Sequence, residues 1–594
     1  MKKRLTAALL CVLMILPVSL LTSCGGGGRS TYTQKTPVTL TLYTITDEKT
    51  TEDGIKAAQV AINDFTEVNF GTHVELRMFT ADEYAEVLDA RIQAMADASG
   101  EAPVVTTAAE EEADAADDTA EETQKSEETK VYRKREDVVY PKAGDNQVDI
   151  FLVSNIDMFN TYCAAGMLRP IDDYLAGTYT VLNKYLNPYL MQASKFLATG
   201  MHYAVPNNHM VGEYEYILLN KEIVDSFGYY PDDIHTILQL NDYVTDVTAH
   251  AAGYTPVIDT YGIKPLAVTL DGAGDFFGAY IGHGASGDTS AMPKSILGNG
   301  KFQNEFTTLR ELRKSGKMIN GEMPAPGTAA QTKAAAILVK GDINLPELYA
   351  DEYYASVYKY PTATNDNTYN SMYGICAYTK NADRCMEIIS ALQTDEKFRN
   401  IFQYGKKNED YEINNKTGLI DIINREYVMD PLYTGNQFIL TPNSDMTDAE
   451  LALAADKWKA AKEQNKYIAA SPYFGFSPLS TVAAFDDPTT MTEAPKTAED
   501  MLADIKKLSD DFNSRIDSFN GDSEALKALM STMNDEMKDN KSVKNAGKTI
   551  FTNSPLALYN AWYKMMYKPE EAPAPTTTAA AADSAAPAET SANE

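Results

Sequence analysis

The histidines and the adjacent aspartate pairs are the residues of this chain that could carry acid–base or metal chemistry. No two histidines stand in an HExxH motif or at metal-ligand spacing; they are His73, His202, His209, His235, His250 and His283. No GxSxG motif places a serine nucleophile on a sharp turn. Adjacent aspartates such as those at 172–173 and 232–233 usually point apart, whereas glycosidase carboxyls must face each other across a sugar. The sequence therefore predicts no catalytic residue, no metal site and no cofactor.

Polar residues at the ends of predicted strands are the next candidates, and their chemistry is hydrogen bonding to a ligand. Thr46 and Asp47 end the first predicted strand, and Asn155 follows the apolar run Val148–Val153. In open α/β sheets, ligands bind beyond the carboxyl ends of the strands. Taken singly, each of the three is more often a helix cap or a turn residue, so both interpretations stay open.

Predicted strands and helices alternate along the part of the chain that carries these candidates. Residues 38–46 alternate apolar and polar side chains, and apolar residues follow at helical spacing from Ile55 to Phe65. A second alternating stretch, Val74–Met78, precedes a second helical stretch, Tyr84–Met95. Strands that alternate with helices are typical of a parallel sheet with crossover helices. The continuous apolar run at 148–153 is typical of a central strand that is covered on both faces.

The N-terminus predicts export and lipid anchoring. A basic start is followed by an apolar run, Leu5–Leu21, and by Leu-Thr-Ser-Cys ending at Cys24, which resembles a bacterial lipobox. We expect residues 1–23 to be a lipoprotein signal peptide, Cys24 to carry the lipid (palmitate), and 24–36 to be a flexible tether. An ordinary signal or an uncleaved anchor is the alternative. Cys163, Cys376 and Cys385 are too few for a disulfide framework and are expected to be buried apolar residues.

The composition argues against one class of partner and indicates two segments that cannot form a hydrophobic core. The net charge of −32 argues against nucleic-acid binding, which needs clustered Lys and Arg. Residues 101–130 contain eleven acidic and two basic residues and no aromatic residue, so an insertion at 98–137 is predicted to be disordered, and so is the tail 569–594. The alternative for the insertion is an acidic arm that binds cations or a basic partner.

A crossover between two lobes is predicted from Gly200 to Lys221. A short strand ends at Pro206, turn residues follow, and a second strand leads into a helix capped by Asn220. Further along, Met372–Tyr378 is predicted as a strand, with a helix capped by Asn381 after it. Residues 499–540 and 557–567 are predicted to be helical.

Together with the lipobox, these ordered blocks resemble the extracellular solute-binding lipoproteins of bacterial ABC importers, the family that includes maltose-binding proteins. The resemblance covers most of residues 37–480. It implies an α/β, two-lobe periplasmic-binding-protein-like fold with a hinge-linked ligand cleft. Lobe I is expected to span 37–206 plus 357–440, and lobe II 207–356 plus 441–568. The acidic insertion and the long C-terminal part depart from the family pattern.

The resemblance also implies a function and a set of ligand contacts. The function is capture of a small solute, expected to be a carbohydrate, and its delivery to an ABC permease by a monomeric protein anchored outside the cytoplasmic membrane. A peptide or another small solute is the alternative, and an adhesive or hydrolytic surface lipoprotein is a third. The expected ligand-binding residues are Thr46, Asp47, Asn155, Asn207, Asn208, Tyr214, Phe276, Glu347, Tyr373, Tyr473 and Phe474.

Overall fold

The computed structural model of the chain describes residues 32–33, 35–99, 133–134, 138–251, 253–282, 293–328, 333–446, 451, 457–480 and 494–546. The predicted signal peptide, Cys24, His283, the predicted helix at 557–567, the tail, and most of the tether and of the acidic insertion lie outside these residues. No helix within these ranges is long and apolar enough to cross a membrane.

The strands of the described residues are short to medium in length. In chain order they are β1 Tyr32–Thr33, β2 Val38–Ile45, β3 Thr72–Phe79, β4 Arg133–Lys134, β5 Ile150–Val153, β6 Ala204–Pro206, β7 Tyr214–Asn220, β8 Thr255–Asp259, β9 Ala267–Thr269, β10 Phe277–Tyr280, β11 Lys294–Ser295, β12 Met318–Asn320, β13 Ala334–Gly341, β14 Tyr353–Lys359, β15 Thr362–Ala363, β16 Met372–Ile375, β17 Tyr411–Ile413, β18 Ile420–Ile422 and β19 Ala469–Ala470.

The α-helices lie between these strands and after the last one. They are α1 Glu52–Phe70, α2 Ala81–Ser99, α3 Ile156–Ala164, α4 Asp172–Ala176, α5 Leu182–Tyr185, α6 Pro188–Ala193, α7 Lys221–Phe227, α8 Ile237–His250, α9 Gly300–Lys314, α10 Leu345–Leu348, α11 Asn365–Thr368, α12 Ala382–Thr394, α13 Glu396–Tyr404, α14 Lys457–Gln464, α15 Ala494–Asp517, α16 Ser523–Asp539 and α17 Lys541–Ala546. The described residues also form 3-10 helices at Pro231–Asp233, Pro431–Thr434 and Gln437–Ile439.

The first lobe is built on a five-stranded sheet in the order β3-β2-β5-β16-β6. β2 runs parallel to β3 and β5, whereas β16 runs antiparallel to β5 and β6. All four residues of β5 are buried, as the continuous apolar run predicts. Helix α1 begins where the Thr51 side chain accepts a hydrogen bond from the Gly54 N–H, and it buries Ala58 and Ile62.

The second lobe contains another five-stranded sheet, in the order β12-β8-β13-β7-β14. One face of this sheet packs on α8 and α9 around a core that includes Ile217 and Leu338. The other face buries Leu218 and Ile337 beneath α10. Helices α15 and α16 pack on the three-stranded sheet β11-β10-β9 and form a separate core. The second lobe therefore has a helical extension beyond its main sheet.

Three segments of the described chain meet between the lobes: residues 207–213 and 360–371, which join the two sheets, and residues 464–471, which run beside them. β15 pairs in parallel with β19, so the second and third segments run side by side. The Gln464 side-chain amide donates to the carbonyls of Val211 and Gly212, at 3.2 and 2.8 Å, and so ties the third segment to the first. Gly212 has φ 66°, and a Cβ there would lie 2.9 Å from the Thr362 nitrogen. Only glycine fits this crossing without a shift of the backbone.

The structure places two predicted lobe boundaries differently. The predicted boundary between 356 and 357 falls inside β14, which pairs with β7 from Tyr353 to Lys359 and so belongs to the second sheet. Residues 441–568 were expected in lobe II, but Ile468 and Phe474 pack into the first core. Strand periodicity specifies a strand but not its sheet, because both cores accept the same apolar pattern.

Candidate binding site

A cavity of about 670 Å³ lies between the two sheets, at the edge of each where the joining segments leave. Its walls come from both lobes and from the joining segments: His209, Met210, Gly212, Glu213, Glu215, Lys340, Gly341, Asp342, Leu345, Lys359, Thr362, Thr364, Asn367, Asn370, Gln437, Met446 and Lys457. This position corresponds to the ligand crevice of open α/β sheets, beyond the carboxyl ends of the parallel strands.

Neighbouring strands of the second lobe supply the charged wall. Glu215 lies near the start of β7, Asp342 directly follows β13, and Lys359 ends β14. Because β7 runs antiparallel to both neighbours, its start lies beside their carboxyl ends, and Lys359 is directly opposite Glu215 in the register. The pairing of three strands therefore brings Glu215 together with charges that lie more than a hundred residues further along the chain.

The charges on this wall are partly compensated. The Glu215 carboxylate is 12% exposed and lies 3.5 Å from the Lys359 ammonium and 4.0 Å from that of Lys340. The Tyr261 hydroxyl donates to the same carboxylate at 2.9 Å. Burial raises the pKa of the Asp342 carboxyl above its usual value. The lining contains three lysines and three carboxylates, so the cavity suits a ligand that carries little net charge.

The first-lobe side of the cavity is polar and partly fixed by internal hydrogen bonds. The His209 ring lies with Nδ1 2.8 Å from the Asn207 carbonyl oxygen and Nε2 3.0 Å from that of Asn367. Burial lowers the pKa of this imidazole, and its two carbonyl contacts oppose the shift only in part. His209 therefore connects the first joining segment to the second, and its burial favours the neutral ring.

Asn370 offers an acceptor that the protein leaves open. Its Oδ1 atom is buried, and no described residue donates a hydrogen bond to it. Leaving a buried polar atom unpaired is costly, so such an atom in a cavity wall suits a donor from a bound ligand. Asn367, by contrast, is used within the protein, because its side chain and that of Thr364 form the capping box of α11.

Four of the residues predicted from sequence as ligand contacts lie at or near the surface. Asp47 accepts a hydrogen bond from the Lys49 N–H, and Asn155 caps α3 by accepting from Met158. Glu347 is exposed in α10. The half-buried Thr46 donates to the Val428 carbonyl at 3.2 Å. The cap or turn role that was left open for Asn155 is therefore its role in the structure.

Three others are buried in the first lobe with protein partners. Asn207 donates to the Ser371 hydroxyl and to the Leu432 carbonyl, at 2.7 and 3.0 Å. Asn208 donates to the Tyr185 carbonyl at 2.8 Å. The Tyr373 hydroxyl donates to the Tyr433 carbonyl at 2.6 Å. All three side chains are fully buried, so the protein itself satisfies these hydrogen-bonding groups.

The remaining four predicted contacts are aromatic and lie in hydrophobic cores. The ring of Tyr214 stacks on that of Tyr216 at 5.2 Å. Phe276 and Tyr473 pack in the core of the second lobe's helical extension. Phe474 packs in the first lobe, 6.1 Å from the ring of Tyr189. None of these rings is more than 5% exposed.

None of the eleven predicted residues lines the cavity between the lobes, as far as the described residues define it. Ligand contact by these residues stays a prediction, and the structure offers a different set. The sequence does carry a signal for that set, because Lys340 and Asp342 flank the end of an apolar strand. The strand-end rule that points to Thr46 and Asn155 in the first lobe points to these two residues in the second.

Within the described residues, no group of three or more His, Cys, Asp or Glu side chains could hold a metal ion. Cys163, Cys376 and Cys385 are free and buried. Burial raises the pKa of the Cys376 thiol to about 12, so it is not a reactive thiolate at neutral pH. These cysteines are apolar core residues, as their number and spacing predict.

Comparison with known proteins identifies the fold. No protein-family model and no curated protein sequence matches the chain. The structure is similar to that of the N-glycan transport solute-binding protein NgtS from Streptococcus pneumoniae, with a TM-score of 0.54, 15% identity, and coverage of 89% of this chain and 99% of that one.

Two further solved structures are similar over comparable lengths, at lower TM-scores. One is an HMO-binding, ABC-transporter-associated solute-binding protein from Bifidobacterium longum infantis, with a TM-score of 0.46, 13% identity, and coverage of 89% of this chain and 99% of that one. The other is the sugar-binding protein MalE from Xanthomonas citri, with a TM-score of 0.39, 11% identity, and coverage of 86% and 100%. The NgtS likeness confirms the predicted two-lobe α/β fold and the resemblance to solute-binding proteins at the level of fold.

Proposed function

We propose that this protein is a solute receptor that captures a small polar molecule, a carbohydrate in the first instance, in the cavity between its lobes. The observation that supports this most directly is the cavity itself, which is polar and takes walls from both lobes and from the segments that join them. A solute that contacts both lobes binds better when they close, and this difference in affinity drives closure. The protein acts by binding rather than by catalysis.

The chemistry of the cavity supports a ligand rich in hydroxyl groups. Sugar hydroxyls donate and accept hydrogen bonds, and the walls present both kinds of partner: the open Oδ1 of Asn370, the carboxylates of Glu213 and Asp342, and the ammonium of Lys457. The name of the similar S. pneumoniae protein refers to N-glycan transport, which favours a glycan for this chain as well.

A short peptide is the second candidate. The described cavity lining contains no Tyr, Phe or Trp, the residues that usually pack on the apolar faces of sugar rings. It contains instead carboxylates and lysines that would suit the two termini of a zwitterion. A direct comparison of glycans with peptides is therefore the informative measurement.

The proposal also includes lipid anchoring of the protein and delivery of its solute to a permease. The lipobox-like sequence supports lipidation of Cys24 and a location outside the cytoplasmic membrane, from which a monomeric receptor passes its solute to the permease of an ABC importer. The test of the anchor is metabolic labelling of bacteria that express the full chain with an alkyne-tagged fatty acid. Label should enter the native chain and not the Cys24→Ala variant, and equal labelling of both would overturn the anchor.

Calorimetric titration of the full chain against oligosaccharides and short peptides tests the proposed ligand class. We expect saturable binding of a glycan and a loss of affinity of about tenfold in Asn370→Ala, which removes the open acceptor. Lys416→Ala, a truncation of an exposed residue outside the cavity, is the control and should bind as the native chain does.

The possible outcomes separate the candidates. Binding of peptides alone would replace the carbohydrate claim by the second candidate. Tight glycan binding that is equal in the native chain and in Asn370→Ala would move the site away from this cavity. If folded protein binds neither class, the carbohydrate and peptide proposals both fail.

A further inference from the structure

A second cavity, of about 550 Å³, lies within the second lobe and away from the cavity between the lobes. It is enclosed by α9, by the three-stranded sheet β11-β10-β9 and by the end of α15. Its apolar floor is formed by Phe276, Ile296, Phe302, Phe306, Leu309 and Ile516. No residue that lines this cavity also lines the first one, so the two are separate sites.

Helix α9 presents both an apolar surface and positive charge to this cavity. Phe302, Phe306, Leu309, Arg310 and Arg313 recur at three- and four-residue spacing and so lie on one face of the helix. Lys314 and Lys264 add two exposed cations to the rim. Asp275 and Asp517 are the carboxylates among the lining residues, so the rim carries four cations and two anions. An excess of positive charge is unusual on a chain whose net charge is −32.

One terminal nitrogen of the Arg310 guanidinium is hydrogen-bonded within the described protein, and the other is not. Its Nη2 atom donates to the Ile516 carbonyl at 3.3 Å and to that of Phe519, which fixes the side chain against α15 and the loop after it. Its Nη1 atom is buried, and no described residue accepts a hydrogen bond from it. A buried cationic donor without a partner is costly, and an anionic acceptor in the cavity would remove that cost.

Arg313 is already hydrogen-bonded within the protein. Its Nη2 atom donates to the Asp259 carboxylate at 3.0 Å and to the Ile263 carbonyl at 2.8 Å. The open positions of the rim are therefore those of Arg310, Lys264 and Lys314, and the apolar floor lies beside them. An occupant that matches both features has an apolar body and a single anionic group.

We propose that this cavity is a second ligand site, which binds a small amphipathic monoanion, a carboxylate on a short alkyl or aryl body, with the carboxylate against Arg310 and the body on the phenylalanine floor. The site is independent of the solute that the cavity between the lobes receives. Apolar surface buried on the floor supplies affinity, and the charge-assisted hydrogen bond to Arg310 selects an anion over a neutral molecule.

Calorimetric titration of the full chain with octanoate and with 1-octanol tests this proposal. We expect octanoate to bind at least about tenfold more tightly than 1-octanol, because only the carboxylate pairs with Nη1 of Arg310. Arg310→Met keeps the apolar stem and removes the charge, so it should abolish this preference. Arg425→Met, an exposed arginine outside the cavity, is the matched control.

A second variant keeps the test decisive if Arg310→Met loses stability. Ala267→Phe adds volume to a half-buried residue of the cavity wall and should block octanoate while Arg310 stays in place. Thermal unfolding establishes that each variant is folded. Absence of octanoate binding, equal affinity for the acid and the alcohol, or unchanged octanoate binding in both folded variants would each overturn the proposal.

Discussion

The two lobes present their sheets to the central cavity at equivalent edges but use the polar residues there in opposite ways. In the first lobe, residues 426–437 pass along the edge and supply backbone carbonyls to Thr46, Asn207 and Tyr373. In the second lobe, no comparable segment among the described residues covers the edge, and Glu215, Asp342 and Lys359 line the cavity. A polar residue at a strand end can bind a ligand only where the chain leaves it accessible.

The covered edge depends on a buried cation. Arg399 is fully buried and donates to the carbonyls of Asn436 and Pro431 and to the Gln403 side chain, at 3.2, 2.9 and 3.2 Å. Its partners are neutral, and burial lowers the pKa of this guanidinium to about 9. Arg399 thus anchors residues 426–437 at the cost of a buried charge whose hydrogen-bond partners among the described residues are all neutral.

The largest expected effect follows from removing this anchor. Arg399→Ala removes the buried donor that the Asn436 carbonyl, the Pro431 carbonyl and the Gln403 side chain share and leaves a cavity beside α13, so we expect the free energy of unfolding to fall by about 4 kcal/mol. Denaturant unfolding measures it. Arg425→Ala, whose ion pair with Asp445 is exposed, should cost less than about 1 kcal/mol. Equal losses in the two variants would show that Arg399 is not an anchor.

The next largest effect on stability is expected at the close contact between Gly212 and Thr362, which lie on the two segments that join the sheets. Gly212→Ala introduces a Cβ 2.9 Å from the Thr362 nitrogen at a positive φ, and we expect it to cost about 3 kcal/mol. Gly200→Ala is the matched control, because Gly200 has φ 70° and no atom within 4 Å of the place a Cβ would take, and it should cost about 1 kcal/mol. Similar unfolding midpoints for the two would remove the role assigned to the Gly212–Thr362 contact.

At the cavity-facing edge of the second lobe's sheet, we expect a substitution to change ligand affinity more than stability. Lys359→Met removes one charge from the cavity wall, where its ion pair with Glu215 is partly exposed, so the unfolding free energy should change by less than about 1 kcal/mol. Affinity for the solute should fall, as titration calorimetry would detect, while Lys416→Met changes neither quantity. A stability loss comparable with that of Arg399→Ala would mean that this edge, too, is structural.

The smallest expected effect is a pH dependence of stability that arises from His209, in the first segment between the lobes. Because burial lowers the pKa of His209 in the folded protein, the unfolded chain takes up a proton first, and stability falls as the pH drops below about 6.5. Asp342, whose pKa is raised, acts with the opposite sign at more acidic pH. Thermal midpoints at pH 7.5 and 5.5 should differ less in His209→Gln than in the native chain, and an unchanged difference would exclude His209 as the cause.

Local structure could be predicted from the sequence because it depends on neighbouring residues. The alternation at 38–46 gives β2, and the side chain of Asn220 caps the helix that follows it, as predicted. The helical pattern at 499–540 corresponds to α15 and α16. The α/β class followed from the order of these elements and the two-lobe fold from the family resemblance, and the solved NgtS structure agrees with both.

The candidate site could not be predicted in the same way. Tyr473 and Phe474 are aromatic residues in a loop, and the sequence does not reveal that two separate cores take them up. Asn207 and Asn208 follow a strand as a ligand contact would, but Leu432 and Tyr185 accept their side-chain hydrogen bonds. Burial and partner are properties of the packed chain, and no local pattern encodes them.

Apolar periodicity and capping side chains act over a few residues, so the positions of strands and helices could be derived from the amino-acid sequence. Which polar groups remain accessible to a ligand depends instead on long-range packing. The 426–437 segment reaches the first lobe's edge from more than two hundred residues beyond Asn207, and strand pairing collects Glu215, Asp342 and Lys359 at the other edge. Contacts between residues this far apart are set by the packing of whole lobes, which residue spacing along the chain does not specify.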